Sequence, residues 1–171
     1  MLDQQGIVAS DISQYNRKSI RLNSTHKLSK VFTFGQTLGY AHVKDSGVGG
    51  TDEYGGVLSS AINLDPITPV IETDEVLAAG APYNSNPVVR DANGNPYGIS
   101  PYVGQEMKNP VAYIQTRLGN YNWADDIIGN AFLEAAITDN IKVKSTVGAK
   151  KSFWGNVSWS PLYFLSATNL T

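Results

Sequence analysis

Two histidines, His26 and His42, have the widest chemical range of any residues in this 171-residue chain. Both fall in strand-like sequence, with no carboxylate at a ligand-like spacing. A zinc site needs three or four converging side chains, so the pattern reads as surface or interface polarity. The stretch DANGNPYG at 91–98 opens like a calcium loop, with Asp91, Asn93 and Asn95 at alternate positions. The glycine that such a loop needs at its sixth position is Pro96, and the bidentate glutamate at its twelfth is Tyr102. A turn rich in Asn, Gly and Pro accounts for the sequence as well. GVGGTDEYGG at 47–56 lacks the Gly-Lys-Ser/Thr of a phosphate loop and reads as a loop tip. Asp125 and Asp126 are adjacent, so on a strand they point to opposite faces and cannot work as a carboxylate pair. There is no GxSxG, no HExxH and no cysteine. No enzyme, no catalytic residue, no metal and no cofactor are therefore expected.

Lys142, Lys144 and Lys150 form a basic stripe that could bind an anion, although a hydrated strand face explains it more simply. Aromatic residues are the remaining signal. Tyr83, Tyr97, Tyr102, Tyr113 and Trp123 fall in or beside a long irregular zone, and Trp154, Trp159, Tyr163 and Phe164 follow the last lysine strand. Such residues stack on sugar rings, form a girdle at a membrane interface, or pack a small core of their own. As ligand-contacting or lid-contacting loop residues, Tyr83, Tyr97, Tyr102, Tyr113 and Trp123 are the candidates. Three Asn-x-Ser/Thr triplets, at Asn23, Asn156 and Asn169, match glycosylation acceptors, and chance accounts for them in sequence this rich in Asn and Ser.

The elements that must position these residues follow from periodicity. Apolar residues make up 42% and charged residues 16%, with Gly, Asn, Ser, Thr and Tyr filling the difference. Such uncharged-polar composition is seen in both extracellular β proteins and outer-membrane barrels, and a net charge of −2 argues against a nucleic-acid partner driven by counterion release. No apolar run approaches the roughly 20 residues of a spanning helix, and MLDQQGIVAS has neither the basic nor the apolar region of a signal peptide. In VFTFGQTLGYAHVK, Phe32, Phe34, Leu38 and Tyr40 take one face, while Thr33, Gly35, Thr37, Gly39 and Ala41 take the other. SIRLNSTHKL alternates likewise, with KLSK at 27–30 reversing the chain between them. DIIGNAFLEAAI and IKVKSTVGAK form a second hairpin about the TDN turn at 138–140. Two hairpins thus flank an irregular zone from 45 to 122. Within it, helical spacing at Val57, Leu58, Ala61 and Ile62 stops at Asp65-Pro66. NPVAYIQTRLG offers Asn109 as N-cap, Pro110 at the first helical position and Gly119 as a stop. A strand from Val31 to Lys44 is far longer than the usual 5–6 or so residues, and about 9–11 suffice to cross a bilayer. This leaves a soluble sandwich and a membrane barrel both open.

GIVASDISQYNRKSIRLNSTHKLSKVFTFGQTLGYAH resembles the strand pair in barrels of SusC/RagA-type TonB-dependent transporters, which show a Gly-Ile, an Arg-Leu-Asn and a G-x-x-L-x-Y. LSSAINLDPITPV is similar to the family's helix and P-x-x-P-V segment. SNPVVRDANGNPYG, NPVAYI and IIGNAFLEAAITDNIKVKSTVGA are similar to its loop and following hairpin, and the order is kept throughout. The resemblance implies an all-β fold: antiparallel strands of a partial transmembrane β-barrel with a long, partly helical extracellular loop. Residues 1–44 would be strands and a hairpin, 45–122 the extracellular loop, and 123–171 a hairpin with a following strand or loop. KLSK and TDN would be periplasmic turns. The family's plug domain, its TonB-contacting box and its signal peptide have no counterpart here, so the chain is expected to be a fragment of the barrel. The parent would import glycans or peptides across the outer membrane of a Gram-negative, Bacteroidota-like cell. Its partners would be a SusD-like surface lipoprotein and, through the missing parts, the TonB complex, with outer-membrane lipid around it. The alternative from another class is a soluble secreted β-sandwich module binding carbohydrate through the Tyr/Trp set. A barrel places Phe34, Leu38, Leu133, Val143 and Val147 on one continuous apolar surface, whereas a sandwich buries them against a second sheet.

Overall fold

The computed structural model describes residues 1–6, 8–10, 12–49, 55–103, 107–138, 140–166 and 169–170. Residues 50–54 of the expected loop tip, Asp139 of the TDN turn and Thr171 of the last Asn-x-Thr triplet lie outside them. The chain divides into two compact units. The first comprises Met1–Gln5, Gln14–Ser46 and Tyr121–Val157, and the second Gly6–Ser13, Gly47–Asn120 and Ser158–Thr171.

The first unit is an open, wholly antiparallel sheet whose spatial order follows the chain: β1 (Leu2–Gln5), β2 (Gln14–Lys27), β3 (Phe32–Ser46), β4 (Tyr121–Thr138) and β5 (Ile141–Val157). The class is all-β. Strands of 14, 15, 18 and 17 residues persist because nothing in their sequence interrupts the ladder: all eight prolines of the chain lie in the second unit. β2 pairs with β3 without a break from Gln14–Ser46 to Lys27–Thr33. β3 pairs with β4 from Phe32–Ala135 to Asp45–Asn122. β4 and β5 stay in register until a shift between Ala136 and Thr138, beside their turn. The reversal between β2 and β3 is set by Ser29, whose Oγ accepts the N–H groups of Val31 (3.1 Å) and Phe32 (3.0 Å).

Glycine matters most at Gly35. It faces Phe132 across the β3–β4 ladder, and a Cβ built there would sit 2.2 Å from the ring. The ring covers the bare backbone, and the Lys144 ammonium lies 3.9 Å from its centroid. Gly35→Ala is expected to cost about 1–3 kcal/mol by displacing the ring. In a Phe132→Ala background the same change should be close to neutral, a coupling that urea titration of the four variants measures. Equal costs in both backgrounds would show that the contact is not what holds glycine at this position.

The second unit contains three short helices, α1 (Val57–Asn63), α2 (Glu75–Ala78) and α3 (Pro110–Gln115), and a two-stranded piece, β6 (Phe164–Ser166) with β7 (Asn169–Leu170). Its core is Tyr97, Ala112, Tyr163 and Leu165, flanked by Ile71, Val89 and Tyr113. Asn109 caps α3 as its spacing predicts, accepting the N–H groups of Val111 and Ala112. Its side-chain N–H₂ donates to the carbonyls of Val70 (2.8 Å) and Gly98 (3.2 Å). After α1, Asp65 accepts the N–H groups of Ile67 and Thr68, together with the hydroxyls of Ser100 and Thr68. The Ser100 hydroxyl is the main reason its carboxyl is held below the usual carboxylate range.

Candidate functional site

Cross-strand partners share a face of the sheet, so the registers sort every strand residue into one of two sets. One face collects Ile20 and Leu22 of β2, Phe32, Phe34, Leu38 and Tyr40 of β3, Ile127, Ala131, Leu133 and Ala135 of β4, and Val143, Val147 and Ala149 of β5. Its polar members below the Ile127–Lys151 pair are Ser24, His26, Gln36 and Ser145, and none of them is a Lys, Arg, Asp or Glu. Below the Ile127–Lys151 pair, from Gly129 to Ile137, this belt runs about 26 Å along β4. Leu38 and Val147 are 48% and 70% exposed. One end of the belt is bounded by Tyr40, Phe153 and Trp123, and the other by Phe32 and Phe34.

At the first of these ends lies a polar cluster that spacing alone did not reveal. Asp125 Oδ1 accepts the Tyr40 hydroxyl at 2.6 Å and stands 2.8 Å from His42 Nδ1. The histidine thus has a carboxylate partner 83 residues away in sequence, which only the β3–β4 register brings to it. Alternation at Tyr40 and His42 was the available signal, but the facing residue stays unknown until the pairing is. Asp126 points to the opposite face, as adjacency requires, where it accepts the Ser152 hydroxyl and lies 3.6 Å from Lys150 Nζ.

That second face is polar. It carries Arg17, Arg21, Lys27, Lys142, Lys144 and Lys150 against Asp45, Asp126 and Glu134. The first unit as a whole holds ten Lys and Arg against six Asp and Glu, and the second three against nine. The lysine stripe is largely engaged: Lys142 lies 4.0 Å from Glu134, Lys144 sits over Phe132, and Lys150 faces Asp126. Arg17 and Arg21 make no ion pair among the described residues. With Ser19, Asp126 and Lys150 they line a concavity of about 530 Å³ floored by Gly39 and Ala41.

The aromatic candidates have dissimilar surroundings. Tyr97 is buried in the core of the second unit, with Tyr113 packed against that core. Tyr83 is buried too, and its phenol oxygen accepts the Ile99 N–H at 3.0 Å. Burial pushes that phenol above its ordinary value. The Tyr113 ring is bracketed by the cations of Lys108 (4.2 Å) and Arg117 (4.9 Å). Tyr102 is exposed. Trp123 belongs to the sheet, half-buried on its apolar face. Tyr97 and Tyr113 are therefore brought together by core packing. The resemblance to a calcium loop at Asp91 resolves into a turn: its Oδ1 accepts the N–H groups of Asn93 (2.9 Å) and Asn95 (2.8 Å), and Gly94 supplies a φ of 89°.

No family model matches the chain, and no curated protein matches it. The chemistry of the two faces therefore carries the functional reading. Among the described residues no helix is long and apolar enough to cross a membrane, which says nothing about crossing by strands. The sheet has one largely apolar side and one charged, hydroxyl-rich side.

Proposed function

We propose that the chain forms part of the wall of an outer-membrane β-barrel transporter of the SusC/RagA type, importing glycans or peptides with a SusD-like lipoprotein. The observation that carries this reading is the uncharged belt on one face of four long strands. At the roughly 40° tilt of barrel strands, its length projects to about 20 Å, against the roughly 25 Å apolar band on such barrels. Aromatic residues at both ends occupy the interface positions. In this reading the belt faces lipid, the polar face lines a water-filled lumen, and Gly47–Asn120 is an outward-facing loop with short helices. The sandwich alternative requires a second sheet over the apolar face, and the exposure of Leu38 and Val147 counts against it.

Because the chain has no cysteine, single Cys residues can be placed at 143–148 of the assembled protein in lipid vesicles and spin-labelled. Positions 143, 145 and 147 are expected to be accessible to oxygen dissolved in lipid, and 144, 146 and 148 to a water-soluble nickel chelate. Exclusion of both reagents from the odd positions would favour the sandwich, and uniform access to the chelate would sink the membrane reading.

A further inference from the structure

The geometry points to an acidic-oligosaccharide site on the polar face, built from Arg17, Arg21, Asp126, Lys150 and Trp154. The assignment rests on the reading of that face as the water-filled side, and it deepens it by naming the class of solute. Three adjacent cross-strand rows define the site: Arg17–Val43–Ala124–Trp154, Ser19–Ala41–Asp126–Ser152 and Arg21–Gly39–Ile128–Lys150. Each row spans four strands, about 14 Å from end to end. The middle of the floor is Gly39 and Ala41, both buried beneath the surrounding side chains, with Ile128 against Gly39.

Each wall contributes different chemistry. Arg17 and Arg21 lie four residues apart on one face of β2, about 13 Å along the strand. Their planar forks match carboxylate or sulfate geometry, and neither is consumed by an ion pair among the described residues. Asp126 Oδ1 accepts from Ser152 and lies 3.6 Å from Lys150 Nζ, which leaves its second oxygen, Oδ2, for a sugar hydroxyl. Trp154 is 80% exposed and lies on the polar face at the far end of the Arg17 row, beside the concavity rather than in its lining. A tryptophan there neither packs a core nor meets the apolar side, whereas its ring offers a platform for the C–H face of a pyranose. Arginine for the acid group, carboxylate for hydroxyls and indole for the ring together describe a sugar acid or sulfated sugar rather than a neutral glycan.

The test is affinity of the assembled protein in detergent for a galacturonate trimer, a sulfated trisaccharide and maltotriose. At least one acidic ligand is expected to bind at least about tenfold more tightly than maltotriose at low salt, as one or two charge-assisted hydrogen bonds would give. The preference should shrink near 1 M salt. The double variant R17Q/R21Q should lose the preference while keeping its affinity for maltotriose, whereas K142Q, which removes a charge outside the concavity, should keep it. W154A should weaken all three ligands. Whichever acidic ligand binds more tightly tells carboxylate from sulfate. Equal affinity for acidic and neutral ligands, or equal losses in K142Q and R17Q/R21Q, would overturn the site. An acid preference that survives alongside uniform chelate access in the spin-label experiment would leave the site standing and remove the membrane reading instead.

Discussion

Asn109→Ala is expected to destabilise the second unit by about 3 kcal/mol or more. The side chain is 3% exposed and makes four hydrogen bonds: two accepted from the first turn of α3 and two donated to the Val70 and Gly98 carbonyls. Removing an N-cap costs about 1 kcal/mol. Each buried group left without a partner adds about 1–3 kcal/mol, and the Gly98 carbonyl loses its amide partner. Asn109 also clips together the paired segments around Ile71 and Tyr97, which enter the core beside Ala112. Two controls separate these parts. Asn109→Ser keeps a capping oxygen and loses the donors, so its cost should be intermediate. Asp74 caps α2 with the same chemistry at an exposed position, so Asp74→Ala should cost about 1 kcal/mol. Urea unfolding followed by tyrosine near-ultraviolet dichroism reads the order, and an Asn109→Ala variant no worse than Asp74→Ala would refute the clip.

Placing arginine at Val147 should cost about 2–4 kcal/mol in the membrane-inserted protein, because the residue sits near the middle of the belt, opposite Ala131. Thr146, its neighbour in sequence, faces the polar side opposite Phe132, and Thr146→Arg should change stability by no more than about 0.5 kcal/mol. The two variants add the same charge one residue apart, so composition and net charge cancel. Unfolding in vesicles measures the difference. Similar values for the pair would mean that neither side of β5 meets hydrocarbon.

Features governed by neighbours in sequence were legible before the fold. The Asn109-Pro110 helix start, the Ser-bearing reversal after Lys27, the opposed faces of Asp125 and Asp126, and the alternation along β3 and β5 all depend on residues within a few positions of one another. The helix from Pro110 ends at Gln115 rather than running to Gly119: the Arg117 and Asn120 N–H groups bond three residues back, to Ile114 and Arg117, and the last turn tightens out of the α-helix. Beyond Gly119, Asn120 exchanges two hydrogen bonds with the backbone of Trp159, 39 residues away. Such partners were not legible. Nor was the Asp125 cluster, which needs the β3–β4 register. Burial of Tyr83 and Tyr97 was equally hidden, since a tyrosine packing a small core and one waiting for a ligand look alike in sequence. α2, four residues long, is too short for periodicity to announce. Trp154 was visible only as one of a group of aromatics, and its place on the polar face follows from pairing with Ala124.

Among the described residues β5 lies at the end of the sheet order, so its outer side, about 56 Å of backbone donors and acceptors, has no strand of those residues beside it. In water such a margin is a template for copies of the same chain, and fibrous self-association is the hazard it creates. Lys142, Lys144, Lys150 and Lys151 lie along that margin, and like charges held in register between stacked copies repel. The lysine stripe that first suggested an anion site thus also acts as a gatekeeper against aggregation. Acetylation of those lysines, or concentrated salt that screens them, would remove that protection.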